Sequence, residues 1–321
     1  MKTSKKVAGT EVQNKKSSLS ESYAIKCLKK NKMTYAFLLP AIVLVFIFCY
    51  LPLPGLYVSF TDYNAFKGIF GSDFVGLENI ISIIQTPKLF KSVLNTLYLS
   101  FLNILIVFPI PIVFSIMLNE IKNMAFKRIT QTISYLPHFI STIAVVGIAT
   151  TIYSSSGIIN DIRVAMFGPE TERILFLGLQ KLFVPNIIIL TLWQGLGWNT
   201  IIFLSAISGI DPELYEAAVI DGAGKFKQCW HITLPSLSMT IILLLIFQIG
   251  SLLASNFDLI YGLQNVFIDF ETISTITYKE GIVAGNFGVS TAIGFMTGII
   301  SMILTLSANA ISKKINNVSL L

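Results

Sequence analysis

Six runs of this chain are too long and too apolar to sit in a water-soluble core: about 36–60, 92–118, 131–152, 183–205, 237–261 and 287–311. Each reaches the ~20 apolar residues that a helix needs to cross a hydrocarbon layer roughly 30 Å thick. In lipid every backbone N–H and C=O must be satisfied internally, which restricts spans to helices and closed barrels. Barrel strands alternate apolar and polar residues, and "IILLLIFQIG" at 241–250 does not. Only 12% of the residues are charged, about half the share usual in soluble domains, and the mean hydropathy is +0.74. The expected fold class is an all-α integral membrane protein with six transmembrane helices.

Charge then orients those spans. The net charge of +6 is gathered at the N-terminus, where residues 1–35 hold nine lysines against Glu11 and Glu21. That segment leads into an apolar run too long for a cleavable signal, so it reads as a cytoplasmic tail before an uncleaved anchor, not as a nucleic-acid site. With the N-terminus inside, 16 of the 23 lysines and arginines fall on the cytoplasmic side. The positive-inside rule therefore predicts both termini in the cytoplasm of a multi-pass cell-membrane protein. The expected organisation is a Lys-rich segment over 1–35, a membrane domain over 36–311 and a cytoplasmic tail over 312–321.

On this topology the segment 206–236 faces the cytoplasm, and it is unlike its surroundings. "IDPELYEAAVIDGAGKFKQCWHITLPSL" carries acids, lysines and small residues between two greasy runs. Asp211 followed by Pro212 is a helix start, an N-cap oxygen before a proline at the first helical position. Leu214, Ala217, Ala218 and Ile220 give a small apolar surface at helical spacing. Gly222 and Gly224 can turn the chain, and a second short segment over 225–231 leads to Leu234 and Pro235, where proline restarts the backbone. The residues alone allow either a knob for a groove on another protein or an amphipathic loop at the membrane interface.

Polar and aromatic residues inside spans are costly unless they face a cavity or a partner. Trp193, Gln194, Trp198 and Asn199 lie in or near the fourth run; Gln248, Asn256, Asp258 and Tyr261 lie in the fifth. Aromatic faces stack on sugar rings while amides and carboxylates bind hydroxyls, so this set suits a carbohydrate pathway. Helix–helix hydrogen bonding and interfacial aromatic belts would use the same residues. His138, beside Pro137 in "YLPHF", marks a break near the start of the third run. "GIVAG" and "GFMTG", at 281–285 and 294–298, are close-packing patterns. Three cysteines and two distant histidines give no metal-ligand spacing. An intramembrane enzyme would need a nucleophile motif, and neither GxSxG nor HExxH occurs.

Glu216-Ala217-Ala218, three residues, Gly222, nine residues, Ile232, one residue, then Leu234-Pro235 resembles the EAA loop of bacterial ABC importer permeases. Asp221-Gly222-Ala223 fits the same loop. "FVGLENI" at 74–80, "YLPHFIS" at 135–141 and "GWNTIIFLSAISGIDPELYEAA" at 197–218 resemble the sugar-type permeases, in particular the group that imports polysaccharide fragments. The resemblance implies a type I ABC importer permease fold. It makes Glu216, Ala217, Ala218, Asp221, Gly222, Ala223, Leu234 and Pro235 the surface docked by a separate ATPase. Its implied partners are a second homologous permease, two ATPase subunits, an extracellular solute-binding protein, membrane lipid and a carbohydrate cargo. This chain has no GxxxxGK[ST] phosphate loop, so ATP and Mg would be bound by the ATPase partner and no cofactor by this chain.

Overall fold

The computed structural model describes residues 30–316. Most of the Lys-rich segment, the last five residues of the tail and the Asn317-Val318-Ser319 sequon lie outside them. The chain divides into two units, Met1–Tyr57 and Val58–Leu321. In the first, α1 (Lys32–Val45) continues into a π-helical turn, Phe46–Tyr50, with no described residue buried.

The second unit opens with a short hairpin. β1 (Thr61–Asp62) runs antiparallel to β2 (Asp73–Phe74), Thr61 opposite Phe74. α2 (Glu78–Gln85) follows, and its Asn79 amide donates to the carbonyls of Ser59 and Thr61 at 3.1 and 2.9 Å. This is what the Asn of "FVGLENI" does: it ties the hairpin to α2. α3 (Pro87–Leu102) and α4 (Pro109–Glu120) are joined by a π-turn, Asn103–Val107, into one 34-residue run. α5 (Met124–Tyr135), a 3-10 turn Leu136–Phe139 and α6 (Thr142–Ile152) come next. α7 (Ile158–Phe167) precedes the 29-residue α8 (Gln180–Ser208). α9 (Pro212–Ile220) is followed by α10 (Lys225–Gln228), a π-turn Cys229–Thr233 and α11 (Leu234–Gly250). α12 (Phe257–Leu263), α13 (Ile273–Tyr278) and α14 (Phe287–Asn316) complete the chain.

Among the described residues five helices are long and apolar enough to span a membrane. A sixth span requires counting the bent pair Met124–Phe139 and Thr142–Ile152, which turns by 100°. Two expected boundaries therefore change. The run at 131–152 is not one straight helix: Pro137 supplies no N–H, a 3-10 turn forms around it, and the Ser141 hydroxyl caps a new helix by accepting from Ala144 N–H. The run at 237–261 stops at Gly250, and Asn256, Asp258 and Tyr261 belong to the separate α12, whose first turn is capped by the Asn256 side chain accepting from Leu259 N–H at 3.2 Å.

Several prolines lie inside continuous helical runs. Pro109 and Pro235 neither end nor sharply break their helices; each follows a π-turn closed by an N–H to the carbonyl five residues back, Phe108 to Asn103 and Leu234 to Cys229, whereas at Pro52 the helix ends and a 3-10 turn, Leu53–Phe60, takes over. A proline ring clashes with the carbonyl four residues earlier. Widening the preceding turn relieves that clash and keeps the helix axis continuous.

Three buried clusters hold the spans. Leu99, Val145, Phe183 and Leu259 join α3, α6, α8 and α12. Leu89, Ile276 and Ile293 join α3, α13 and α14, while Ile112, Phe203 and Leu237 join α4, α8 and α11. Outside them, large side chains such as Phe101, Met117, Ile189 and Met302 stand exposed, as lipid-facing surface requires. A polar buckle fixes the segment after α12. Lys91 pairs with Asp269 at 2.7 Å, and the lysine's hydrogen bond and charge hold that carboxyl below its ordinary range. Asn95 donates to the Glu271 carbonyl, and Lys279 pairs with Glu271 at 2.5 Å.

The connection between α6 and α8 is organised by one residue. Asn160 is fully buried; its amide donates to the carbonyls of Ser154 and Ile174, both at 2.8 Å, and its oxygen accepts from Ile174 N–H and Arg163. Asn160→Ala leaves the half-buried Ile174 N–H and C=O without their partners, each worth about 1–3 kcal/mol. The expected result is fast hydrogen exchange and new protease cleavage confined to residues 154–176, with the spans still protected.

Candidate functional site

The coupling element is built by local chemistry. The Asp211 carboxylate caps α9 by accepting from Glu213 N–H at 3.0 Å, and Pro212 takes the first helical position. At the other end Gly222 adopts φ +75°, with Gly222 N–H bonded to Val219 C=O at 3.0 Å and Ala223 N–H to Ala218 C=O at 2.8 Å. These two bonds are the Schellman closure, in which a left-handed residue just past the helix lets the chain turn back and satisfy the last carbonyls. Ala218 and Ala223 then lie together on one groove, an opening of about 420 Å³ that Asp221, Lys227, Gln228 and His231 also line. The glycine of the motif thus has a structural cause, the positive φ that the closure requires.

Gly224, the other expected turning point, has no positive φ. The chain beyond it is also more rigid than the sequence suggests. α10, the π-turn and α11 form one helical run from Lys225 to Gly250, so Pro235 does not restart the backbone. Leu234 packs towards the cluster of Ile112, Phe203 and Leu237, and Pro235 stands exposed at the start of α11. Tyr215 and Thr233 share a hydroxyl–hydroxyl bond of 2.9 Å that clamps α9 to this run. Lys225 pairs with Glu120 at the end of α4 at 3.0 Å. Glu216, Ala217, Asp221 and Gly222 are exposed, as are Val219 and Ile220 beside them.

A second site lies between the π-turn Asn103–Val107, α4, α8 and α11. It is a cavity of about 300 Å³ into which Asn103, Thr191, Asn199, Gln248 and Ser251 project, against Phe108, Phe203 and Phe247. Five polar side chains face one space and none is charged. Of the eight pathway candidates the structure brings Asn199 and Gln248 here.

The other six lie elsewhere. The Trp198 ring lies parallel to His138, centroids 4.5 Å apart and planes 7° apart, and Gln194 donates to the Ile140 carbonyl at 3.0 Å. Both contacts brace the bend in the third span. Trp193 is exposed on α8. Asn256 caps α12, Asp258 is exposed in its first turn, and Tyr261 packs with Phe257 and Tyr278, all centroids 5.1 Å apart, under the Lys279 ammonium. Asn103, Thr191 and Ser251 were missed by sequence reasoning. Asn103 carried a signal, being an amide inside an apolar run six residues before a proline. The "GIVAG" glycines divide in role: Gly281 abuts Ser290 and Gly285 takes φ +76°, whereas Gly294 and Gly298 of "GFMTG" face open space in this chain.

The model of the family described as binding-protein-dependent transport system inner membrane component matches residues 107–317, which include the coupling element and four of the cavity's five polar residues. The chain belongs to this family. It is a multi-pass membrane permease, a transport subunit and not an enzyme. Among its relatives, the polygalacturonan/rhamnogalacturonan transport system permease protein YteP of Bacillus subtilis is 39% identical over 290 residues, 89% of each chain. Protein LplB of the same organism is 38% identical over 89% of this chain and 90% of its own length. A chain from the crystal structure of a bacterial alginate ABC transporter in complex with alginate pentasaccharide-bound periplasmic protein superposes with a TM-score of 0.84. It is 32% identical, and the match covers 92% of this permease and 99% of that chain.

Proposed function

We propose that this permease, the transmembrane subunit of a sugar ABC importer, carries an oligosaccharide released from a polysaccharide, received from an extracellular binding protein and passed through the cavity of Asn103, Asn199 and Gln248. The observation that carries the reading is that cavity: amides and hydroxyls to bind sugar hydroxyls, phenylalanine rings to face the sugar, and no charge. The relatives whose names specify pectic substrates and the alginate transporter that shares the fold support a polysaccharide fragment as the cargo class. A uronate would then have its carboxylates read by a partner, because no cation lines this space.

Both termini face the cytoplasm in this reading, and the coupling element docks on an ATPase. Two ATPase chains bind ATP and Mg, and a second homologous permease completes the pathway. The mechanical link is the run Lys225–Gly250, 26 residues and therefore about 39 Å at 1.5 Å per residue. One end of that rod belongs to the coupling element and Gln248 lies near the other, so a push on α9 and α10 displaces a cavity wall.

The test is uptake in a strain lacking this chain, supplied with galacturonan, rhamnogalacturonan and alginate fragments, simple sugars, glycerophosphodiesters and peptides. Selective loss of one oligosaccharide class is expected; loss confined to peptides or glycerophosphodiesters overturns the sugar reading. Restoring the chain as Asn199→Leu removes one amide partner, worth about 1–1.5 kcal/mol. The half-saturating concentration should rise about tenfold with normal membrane levels of the protein, and an unchanged value would remove Asn199 from the binding surface.

A further inference from the structure

We propose that α7 lies in the membrane–water interface, with its apolar stripe seated among lipid headgroups and the first acyl carbons, and anchors the adjoining ends of the third and fourth spans there. Ile158, Ile162 and Met166, four residues apart, form one stripe, and Phe167 stands exposed at the C-terminal end of the helix. They are 59, 52, 71 and 73% exposed. On a 10-residue helix this is most of one face.

The depth of α7 is set by contacts with span ends. Gly157, its N-cap, sits directly on the last turn of α6: a Cβ added there would fall on the Thr151 and Ile152 carbonyls. The limb that returns towards α8 is tied to the same place, with Phe176 N–H donating to Tyr153 C=O at 3.2 Å and Ile174 held by Asn160. α7 is thus pinned, at its first turn, to the end of one apolar helix and to the segment that enters the next. A helix about 15 Å long held at that level has the size and position of an interfacial element, which buries its apolar face 5–10 Å into the headgroup boundary.

The loop's polar chemistry favours lipid over a protein partner for the stripe. Asn160 spends its amide inward, Arg163 donates to Asn160 and to the Glu172 carbonyl, and Arg173 pairs with Asp161 at 2.8 Å along the stripe's border. A protein interface surrounds its apolar centre with a polar rim that bonds the partner. Here the polar groups of α7 bond within the loop, and what faces outward is apolar. This inference rests on the membrane fold and not on the identity of the cargo.

The experiment places a nitroxide at Ile162→Cys, Met166→Cys and, as an aqueous reference, Glu170→Cys, in the full chain with Cys27, Cys49 and Cys229 replaced by serine. The protein is reconstituted in phosphatidylethanolamine/phosphatidylglycerol vesicles, and collisions with oxygen and with a water-soluble nickel chelate are compared. Ile162 and Met166 should favour oxygen and Glu170 the chelate. The proposal is overturned if all three favour the chelate, which puts the stripe in water. It is equally overturned if neither agent reaches Ile162 and Met166, which means that protein covers them.

Discussion

A Gly222→Val permease inserts into the membrane at normal levels and fails to transport. Gly222 holds φ +75° with nothing within 4 Å of where a Cβ would stand, so space does not explain the effect. The backbone does. A left-handed conformation costs an ordinary residue about 1–2 kcal/mol, and a β-branched one more. Relieving that strain unwinds the closure made by Gly222 N–H and Ala223 N–H, which alters the face of α9 that carries Glu216, Ala217 and Ala218. Two companions separate shape from bulk. Gly222→Asn should keep part of the uptake, because asparagine tolerates the left-handed region, while Gly222→Asp adds a charge to the docking face and should transport less than Asn. Gly224→Val should transport nearly normally, since Gly224 has φ −69° and open space. Normal uptake by the valine variant at 222 would sink the coupling role assigned to this loop.

What the sequence made readable follows from how far each signal travels along the chain. The Asp211-Pro212 start and the Gly222 stop of α9 are encoded within a few residues, and the structure realises both. Apolar runs locate spans because hydropathy sums over twenty residues. That same sum conceals breaks: "YLPHFIS" and "SLLASNF" stay apolar on average while Pro137, Ser141 and Asn256 end or start helices inside them. The π-turns shift the angular position of every side chain beyond them by part of a turn, so a 3.6-residue pattern carried through Cys229–Thr233 misplaces Gln248 relative to the cavity. Tertiary contacts were the least readable. Asn160 looks like any loop asparagine, and its four hydrogen bonds depend on residues up to 14 positions away. The chemistry of Trp198 and Gln194 suits a sugar pathway, yet their contacts in this chain are with the bend beside them.

That bend carries the second large effect. Gly197→Ala should destabilise the permease more than any other alanine placed at a glycine of α8. The added Cβ would fall on the Ser134 carbonyl and come within 2.7 Å of the Tyr135 ring. Two of those neighbours are backbone atoms of the last turn before the 100° break, so they cannot swing aside as a side-chain tip could. α8 must retreat from α5, and the His138–Trp198 stack and the Gln194–Ile140 bond, which depend on the same approach, loosen with it. Overpacking of this kind costs about 1–3 kcal/mol. Gly195→Ala is the matched control two residues away: its Cβ would meet only the Asn199 side-chain nitrogen, at 3.3 Å, which can rotate. Thermal unfolding in detergent and sugar uptake in cells should both fall for Gly197→Ala. Gly195→Ala should keep its stability and change, at most, the affinity set by Asn199. Equal stability of the two variants would mean that the third span is not held against α8 at Gly197, and that its bend is set by Pro137 alone.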